Sequence, residues 1–312
     1  AADRRSWVFS PRPRASLAIL DDLHDRLPPG PDRWEIAYQR ASISRNLSDW
    51  SAALAVAATA RKEMDGADPC RQAIDLLGLV GFVQFERREP ALAAAAFAEG
   101  DRLAEAWRRP DWRRVLDNNH AVFLSHSGEY TAAREIFSRI LVTEDADPRW
   151  RAHAVANARL NLCFLEAVAP DWAAVRTHAA EAVRGGAGEG DIPLLAGGRC
   201  LGALARCAGG DRHAATEIVE SIGQVSRFGM RRFSVVLLDV LADAMALLGD
   251  EEGARLVLAG AGDLRDAMAH PRSRSESETI ARLRPDPSLR WTGPASVGAI
   301  AGWADRRIRR VL

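Results

Sequence analysis

Along most of this chain, apolar residues return at steps of three and four, the spacing that lines one face of an α-helix. Short breaks of Gly, Pro, Asp and Asn separate these stretches, as helix ends require. The clearest instance runs from Leu116 to Leu141, LDNNHAVFLSHSGEYTAAREIFSRIL. Leu116, His120, Val122, Phe123 and Leu124 form the apolar face before Gly128, and Tyr130, Ala133, Ile136, Phe137 and Ile140 form it afterwards. Gly128 supplies the backbone freedom that a tight interhelical turn needs. Small Ala133 lets the two helices approach, and Tyr130 and Phe137 fill the space beside it. A two-helix hairpin cannot bury both of its faces alone, so the pattern demands neighbours.

The neighbours are present in register. The position held by Gly128 recurs as Ser48, Arg88, Pro170, Gly210 and Gly249, at steps of 39 to 42 residues. Five residues after each turn stand Ala53, Ala93, Ala133, Val175, Ala215 and Ala254, and nine after stand Ala57, Phe97, Phe137, Ala179, Val219 and Leu258. The spacing predicts hairpins over 34–64, 69–107, 111–142, 148–183, 192–225 and 231–260. The run GGAGEG, Gly185 to Gly190, is expected to be a solvated link between the fourth and fifth. The Gly, Tyr, Ala, Phe order of GEYTAAREIF resembles the second half of a tetratricopeptide repeat. The resemblance covers about Arg33 to Ala261. It implies an all-α fold, a right-handed α–α superhelix built as a solenoid of about six helical hairpins. The departure is a period of about 40 residues where the repeat ordinarily has about 34.

Residues 1–32 are expected to be a tail and a leading helix. The tail is irregular, with Trp7, Val8 and Phe9 docking on the helix at Ala15 to Leu27, which Pro28, Pro29, Gly30 and Pro31 end. That helix looks like the second half of a repeat, so an N-terminal portion is expected to precede it. Residues 262–312 are expected to cap the stack. DLRDAMAHPRSRSESETIARLR reads as a helix, a break at Pro271 and a second helix from about Ser275. A loop, PDPSLRWTGP, leads to a last helix from Ala295 to Leu312. Arg306, Arg307, Arg309 and Arg310 suit the end of that helix, where cations complement the helix dipole.

The residues Ala254, Arg255, Leu256, Gly260, Ala261, Leu264, Arg265 and Pro271 carry a second resemblance. Their order is similar to the C-terminal region of large bacterial signal-transducing ATPases with a tetratricopeptide sensor. These include the LuxR-type ATP-binding regulators and the antibiotic regulatory proteins of actinomycetes. The resemblance implies a C-terminal sensor or autoinhibitory module of a transcriptional regulator, in contact with other domains of that regulator. The sequence contains neither a GxxxxGK[ST] phosphate loop nor a segment that reads as a helix-turn-helix. A standalone scaffold bridging protein partners is the alternative.

Charge is balanced, with 42 basic and 42 acidic residues, which removes the main reason to expect a nucleic-acid partner. No apolar run reaches the roughly 18 to 20 residues that span a bilayer, so a cytoplasmic location without membrane contact is expected. Cys70, Cys163, Cys200 and Cys207 form no CxxC pair and suit a reduced compartment. No Ser-His-Asp, HExxH or metal-spaced His appears. Hence no enzyme activity, cofactor or metal is expected.

Binding is expected on the first helix of each hairpin, which lines the concave groove of such a stack. Candidate groove residues are Tyr38, Arg45, Phe82, Phe85, Asn118, Asn119, Asn157, Asn161, Phe164, Asp239 and Asp243. An Asn amide carries donors and an acceptor, so it can pair with an extended peptide backbone. In peptide-binding tetratricopeptide domains an Asn holds the ligand's main chain, and the resemblance transfers that role to Asn119 and Asn161; the alternative is that these amides cap loops or bond neighbouring helices. Arg45 is a candidate anion contact, and Phe82, Phe85 and Phe164 are either an apolar floor or ordinary interhelical packing. Asp239 and Asp243, four apart, suit a cation or basic ligand, or simply face water. The expected occupant is a peptide, a partner protein or a small effector.

Overall fold

The computed structural model describes residues 13–142, 148–286 and 288–311. The tail with Trp7, Val8 and Phe9 lies outside them. Among the described residues every regular element is helical. In chain order the helices are α1 (Pro13–Arg26), α2 (Pro31–Asn46), α3 (Trp50–Glu63), α4 (Arg71–Glu86), α5 (Pro90–Ala106), α6 (Arg114–Ser127), α7 (Tyr130–Val142) and α8 (Pro148–Val168). There follow α9 (Trp172–Glu189), α10 (Ile192–Cys207), α11 (Ala214–Arg227), α12 (Arg231–Leu247), α13 (Glu251–Ala267), α14 (Arg274–Ala281) and α15 (Val297–Val311). A short 3₁₀ turn, Pro110–Arg113, leads into α6.

The turns explain why the helices pair. At Ser48, Arg88, Gly128, Gly210 and Gly249 the backbone is left-handed, with φ of 63°, 66°, 89°, 89° and 91°. A residue in this conformation ends a helix by letting its own N–H and that of the next residue bond back to the helix's last carbonyls. Ser48 N–H reaches Arg45 O and Asp49 N–H reaches Ser44 O, both at 2.9 Å. The same pair of bonds recurs at Arg88 and Glu89, Gly210 and Asp211, and Gly249 and Asp250. The acid after the turn then caps the following helix. Asp49 accepts from Ala52 N–H, Asp250 from Gly253 N–H, and Asp171 from both Ala173 and Ala174 N–H, all at 3.0–3.1 Å. Pro170 cannot take the left-handed conformation, and there Asp171 N–H bonds Glu166 O at 3.3 Å.

Five residues past each of these turns the side chain is wholly buried. Ala53, Ala93, Ala133, Val175, Ala215 and Ala254 are all 0 % exposed. The chain divides into two compact units, Ala1–Leu124 with Thr131–Ala154, and Ser125–Tyr130 with Val155–Leu312. In the first, α2 packs on α1 and α3, α4 on α2 and α3, and α5 on α4. In the second, α10 packs against α9, α11 and α12, and α12 against α13. The last helix, α15, lies on α11, α12 and α13 and buries Ile300, Ala301, Ala304 and Ile308.

Two expectations are corrected. The GGAGEG run is not a link, because α9 continues through it to Glu189 and only Gly190 (φ 68°) breaks the helix. Gly186 serves close packing, since a Cβ there would stand 2.9 Å from Leu195 N. DLRDAM is not a separate helix, because it completes α13.

Two substitutions test the turn register. Arg88→Gly relieves a left-handed non-glycine residue and should stabilise the chain by about 0.5–1 kcal/mol, the strain relief outweighing the added freedom of the unfolded chain. Ala133→Leu overfills a closed contact and should destabilise it by about 1–3 kcal/mol. Urea unfolding of each variant against the parent measures both.

Candidate binding site

In the first unit, α2 and α4 bring Tyr38, Arg45 and Phe82 together. The Arg45 guanidinium lies 5.3 Å from the Phe82 ring centroid, within cation–π range. It also donates to Asn46 Oδ1 at 3.0 and 3.3 Å. Burial lowers the Arg45 pKa, opposed by Tyr38 and Glu86. Burial, with Asp75 beside it, pushes the Tyr38 hydroxyl well above the usual tyrosine range. Phe82 is half-buried and meets Phe85 edge-on at 6.3 Å. Phe85 is itself buried, packed edge-on against Phe123 at 5.6 Å. It therefore belongs to the core and not to an open floor.

One turn away stands a group of polar residues. Asp75 is buried and accepts from Arg71 Nε at 3.2 Å, an i,i+4 pair on α4. Burial pushes its carboxyl up to about 7; Glu35 adds to the rise and Arg71 opposes it. Glu35 takes Gln39 Nε2 at 3.2 Å, Gln72 Nε2 at 3.4 Å and Arg71 at 3.7 Å. Two carboxylates thus share Arg71.

On α6, Asn118 is half-buried and Asn119 is buried. Asn119 Nδ2 donates to the Gly78 carbonyl at 3.1 Å. Here α4 and α6 meet backbone to backbone, since a Cβ on Gly78 would stand 2.9 Å from Leu116 Cα. Asn119 therefore ties two helices together, which corrects its expected role on a ligand's main chain.

In the second unit, Asn157, Asn161 and Phe164 are half-buried on α8, and Phe164 meets Phe233 edge-on at 6.4 Å. Asp239 and Asp243 do not face water, and the cations that hold them belong to this chain. Asp239 takes Arg272 side-on, Nη2 at 2.7 Å and Nε at 3.1 Å, and Arg265 Nη2 at 2.8 Å. Asp243 takes Arg282 in the same two-pronged way, through Nε at 2.9 Å and Nη2. Burial raises the Asp243 pKa against the pull of Arg282. Arg265 also donates to Glu276 at 3.1 Å. Burial would raise Glu276, but Arg265, with His126 and the Ser273 N–H, holds it down at about 2. Glu278 accepts from Tyr130 Oη at 2.5 Å and Arg274 Nε at 2.8 Å. Burial and Glu278 push the Tyr130 hydroxyl up to about 12.

Arg265, Arg272, Arg282 and Glu276 were not among the expected site residues. One signal was present: Ser273 and Glu276 have the S-x-x-E spacing of a capping box. The box forms, with Ser273 N–H on Glu276 at 2.6 Å and Glu276 N–H on Ser273 Oγ at 3.3 Å. The four cysteines are buried thiols, and burial pushes Cys200 and Cys207 up to about 12. Among the described residues no group of His, Cys, Asp or Glu is placed to hold a metal ion, and no helix is long and apolar enough to cross a membrane.

No protein-family model matches the chain, and comparison with curated proteins finds no match.

Asp75 makes the first unit pH-sensitive. Its folded pKa lies above the ordinary carboxylate value, so the native state holds the proton more tightly than the unfolded chain. Stability from this group is present below about pH 4 and is lost as pH rises toward 7. Asp75→Asn should therefore gain stability relative to the parent as pH rises from 4 to 8, measured by urea unfolding at each pH.

Proposed function

We propose that this chain is a non-enzymatic binding module, a right-handed tetratricopeptide-like solenoid of about six hairpins. In this reading it is the sensor region of a bacterial transcriptional regulator, and the first helices of its hairpins take a peptide, a partner protein or a small effector. The observation that carries the reading is the grouping of Tyr38, Arg45 and Phe82 on α2 and α4. These are a hydroxyl, a cation and an aromatic face, all half-buried, with the Tyr38 ring packed against the core beside them. Long polar and aromatic side chains cluster this way where a surface meets a ligand, because they combine contact area with directional bonds. Asn157 and Asn161, half-buried and one turn apart on α8, offer amides of the kind that pair with an extended main chain. The regulator assignment rests on the likeness around α13, where Gly260 receives Ile300 and Arg265 holds Glu276 of the segment after Pro271.

The test is to pan a displayed library of random peptides on the chain, with an Arg45→Ala/Phe82→Ala variant as counter-selection. Peptides that bind the parent at least ten-fold more tightly than the variant, at unchanged helicity, are the expected result. A library yielding no discriminating peptide contradicts the assignment of ligand binding to this face.

A further inference from the structure

The segment 270–284 around α14 is fastened by charge as well as by burial. α14 itself buries only Ser275 and Ile280, and His270, Ser273 and Leu283 are buried beside it, while α12 buries nearly every residue from Ser234 to Met245. Asp239 and Asp243 stand four residues apart on α12, hence on one face of it. Each grips one guanidinium side-on, and in each case a main-chain carbonyl completes the grip. Arg272 Nη2 reaches Leu258 O at 3.4 Å, and Arg282 Nη1 reaches Ala167 O at 3.3 Å. Two-pronged geometry of this kind selects arginine over lysine, whose ammonium is a point charge. α12 therefore carries two guanidinium sockets ten residues apart on the bound segment.

The exposures separate a fixed arginine from two exchangeable ones. The Arg265 side chain is 1 % exposed, whereas Arg272 is 19 % and Arg282 30 % exposed. Arg265 is sealed inside, but an incoming group can approach the other two from solvent. Simple release of the segment would leave Asp243, only 2 % exposed at its side chain, without a counter-charge. An uncompensated buried carboxylate is strongly disfavoured. The segment is accordingly far easier to replace by another arginine-bearing segment than to open to water.

We propose that the α12 face bearing Asp239 and Asp243 is a receptor for an arginine-bearing helical segment. Residues 270–284 occupy it as a resident ligand, which a partner protein's segment with two arginines at the same spacing displaces. This deepens the binding-module reading by naming a partner class. It uses a face that the Arg45 and Phe82 test does not touch, so either can fail alone.

The experiment empties the sockets with Arg272→Ala/Arg282→Ala in the full chain. The probe is a fluorescent synthetic peptide of residues 270–284, followed by anisotropy. Saturable binding at least ten-fold tighter than to the parent is expected. It should be lost when Asp239→Asn/Asp243→Asn is added, or when both peptide arginines at these positions are changed to lysine. Equal binding to parent and variant, or none to a variant of full helicity, overturns the proposal. Should the variant lose its helical signal, hydrogen exchange on the unaltered chain decides. At least ten-fold faster exchange of amides 278–281 when the 270–284 peptide is added in excess, with 237–245 unchanged, supports a displaceable segment, and unchanged exchange overturns it.

Discussion

A small side chain with no solvent exposure, set five residues beyond a helix-ending turn, is the constraint that the rest of this chain obeys. Helices pack with their axes about 8–10 Å apart, and the side chains at the crossing decide where in that range they settle. Ala53, Ala93, Ala133, Val175, Ala215 and Ala254 occupy that place six times. The turn fixes the angle of departure, because the left-handed residue and the two N–H groups around it close the first helix. Where Asp49, Asp171 or Asp250 follows the turn, its carboxylate opens the next helix by accepting unpaired N–H groups. At Ser48 and Gly249 side-chain size, turn conformation and cap all agree, and agreement of that kind makes a local pattern specify a pairing; Glu89 makes no such cap, and Pro170 provides no left-handed residue.

The two units show opposite treatments of a buried carboxylate. Asp75 is buried with Glu35 nearby and shares Arg71 with it, and its carboxyl is pushed up to about 7. Glu276 is also buried, yet it is held at about 2, since Arg265 and the Ser273 N–H favour its charged form. Burial alone penalises charge in both; the number of compensating donors decides the sign. The first arrangement leaves a proton to gain or lose near neutrality. The second keeps its charge at neutral pH.

Much of the helical layout was legible in the sequence because helices and their ends leave periodic marks. The row of small residues and the turn at Gly128 could be read directly, and they locate buried contacts. GGAGEG misled because glycine serves two purposes. At Gly190 it breaks a helix, and at Gly186 it lets one helix approach another. For Asn119 the sequence left two readings open, because an amide that can bind a ligand's backbone can equally bind a neighbouring helix, and it does the second. The arginine sockets were hidden for a different reason. Their partners lie 26 to 39 residues apart in the chain, and an acid on a helix reads the same whether it faces water or a guanidinium.

The central claim is that a small residue five past each of these turns is closed off from solvent by packing, and thiol protection tests it most directly. Cysteine placed singly at positions 53, 93, 133, 175, 215 and 254 would be challenged with a thiol reagent under native conditions. Labelling at all six is expected to be as slow as at the native buried cysteines and to rise together on unfolding. Rapid labelling of any one in a folded chain would show that its crossing is open, and would contradict the packing described.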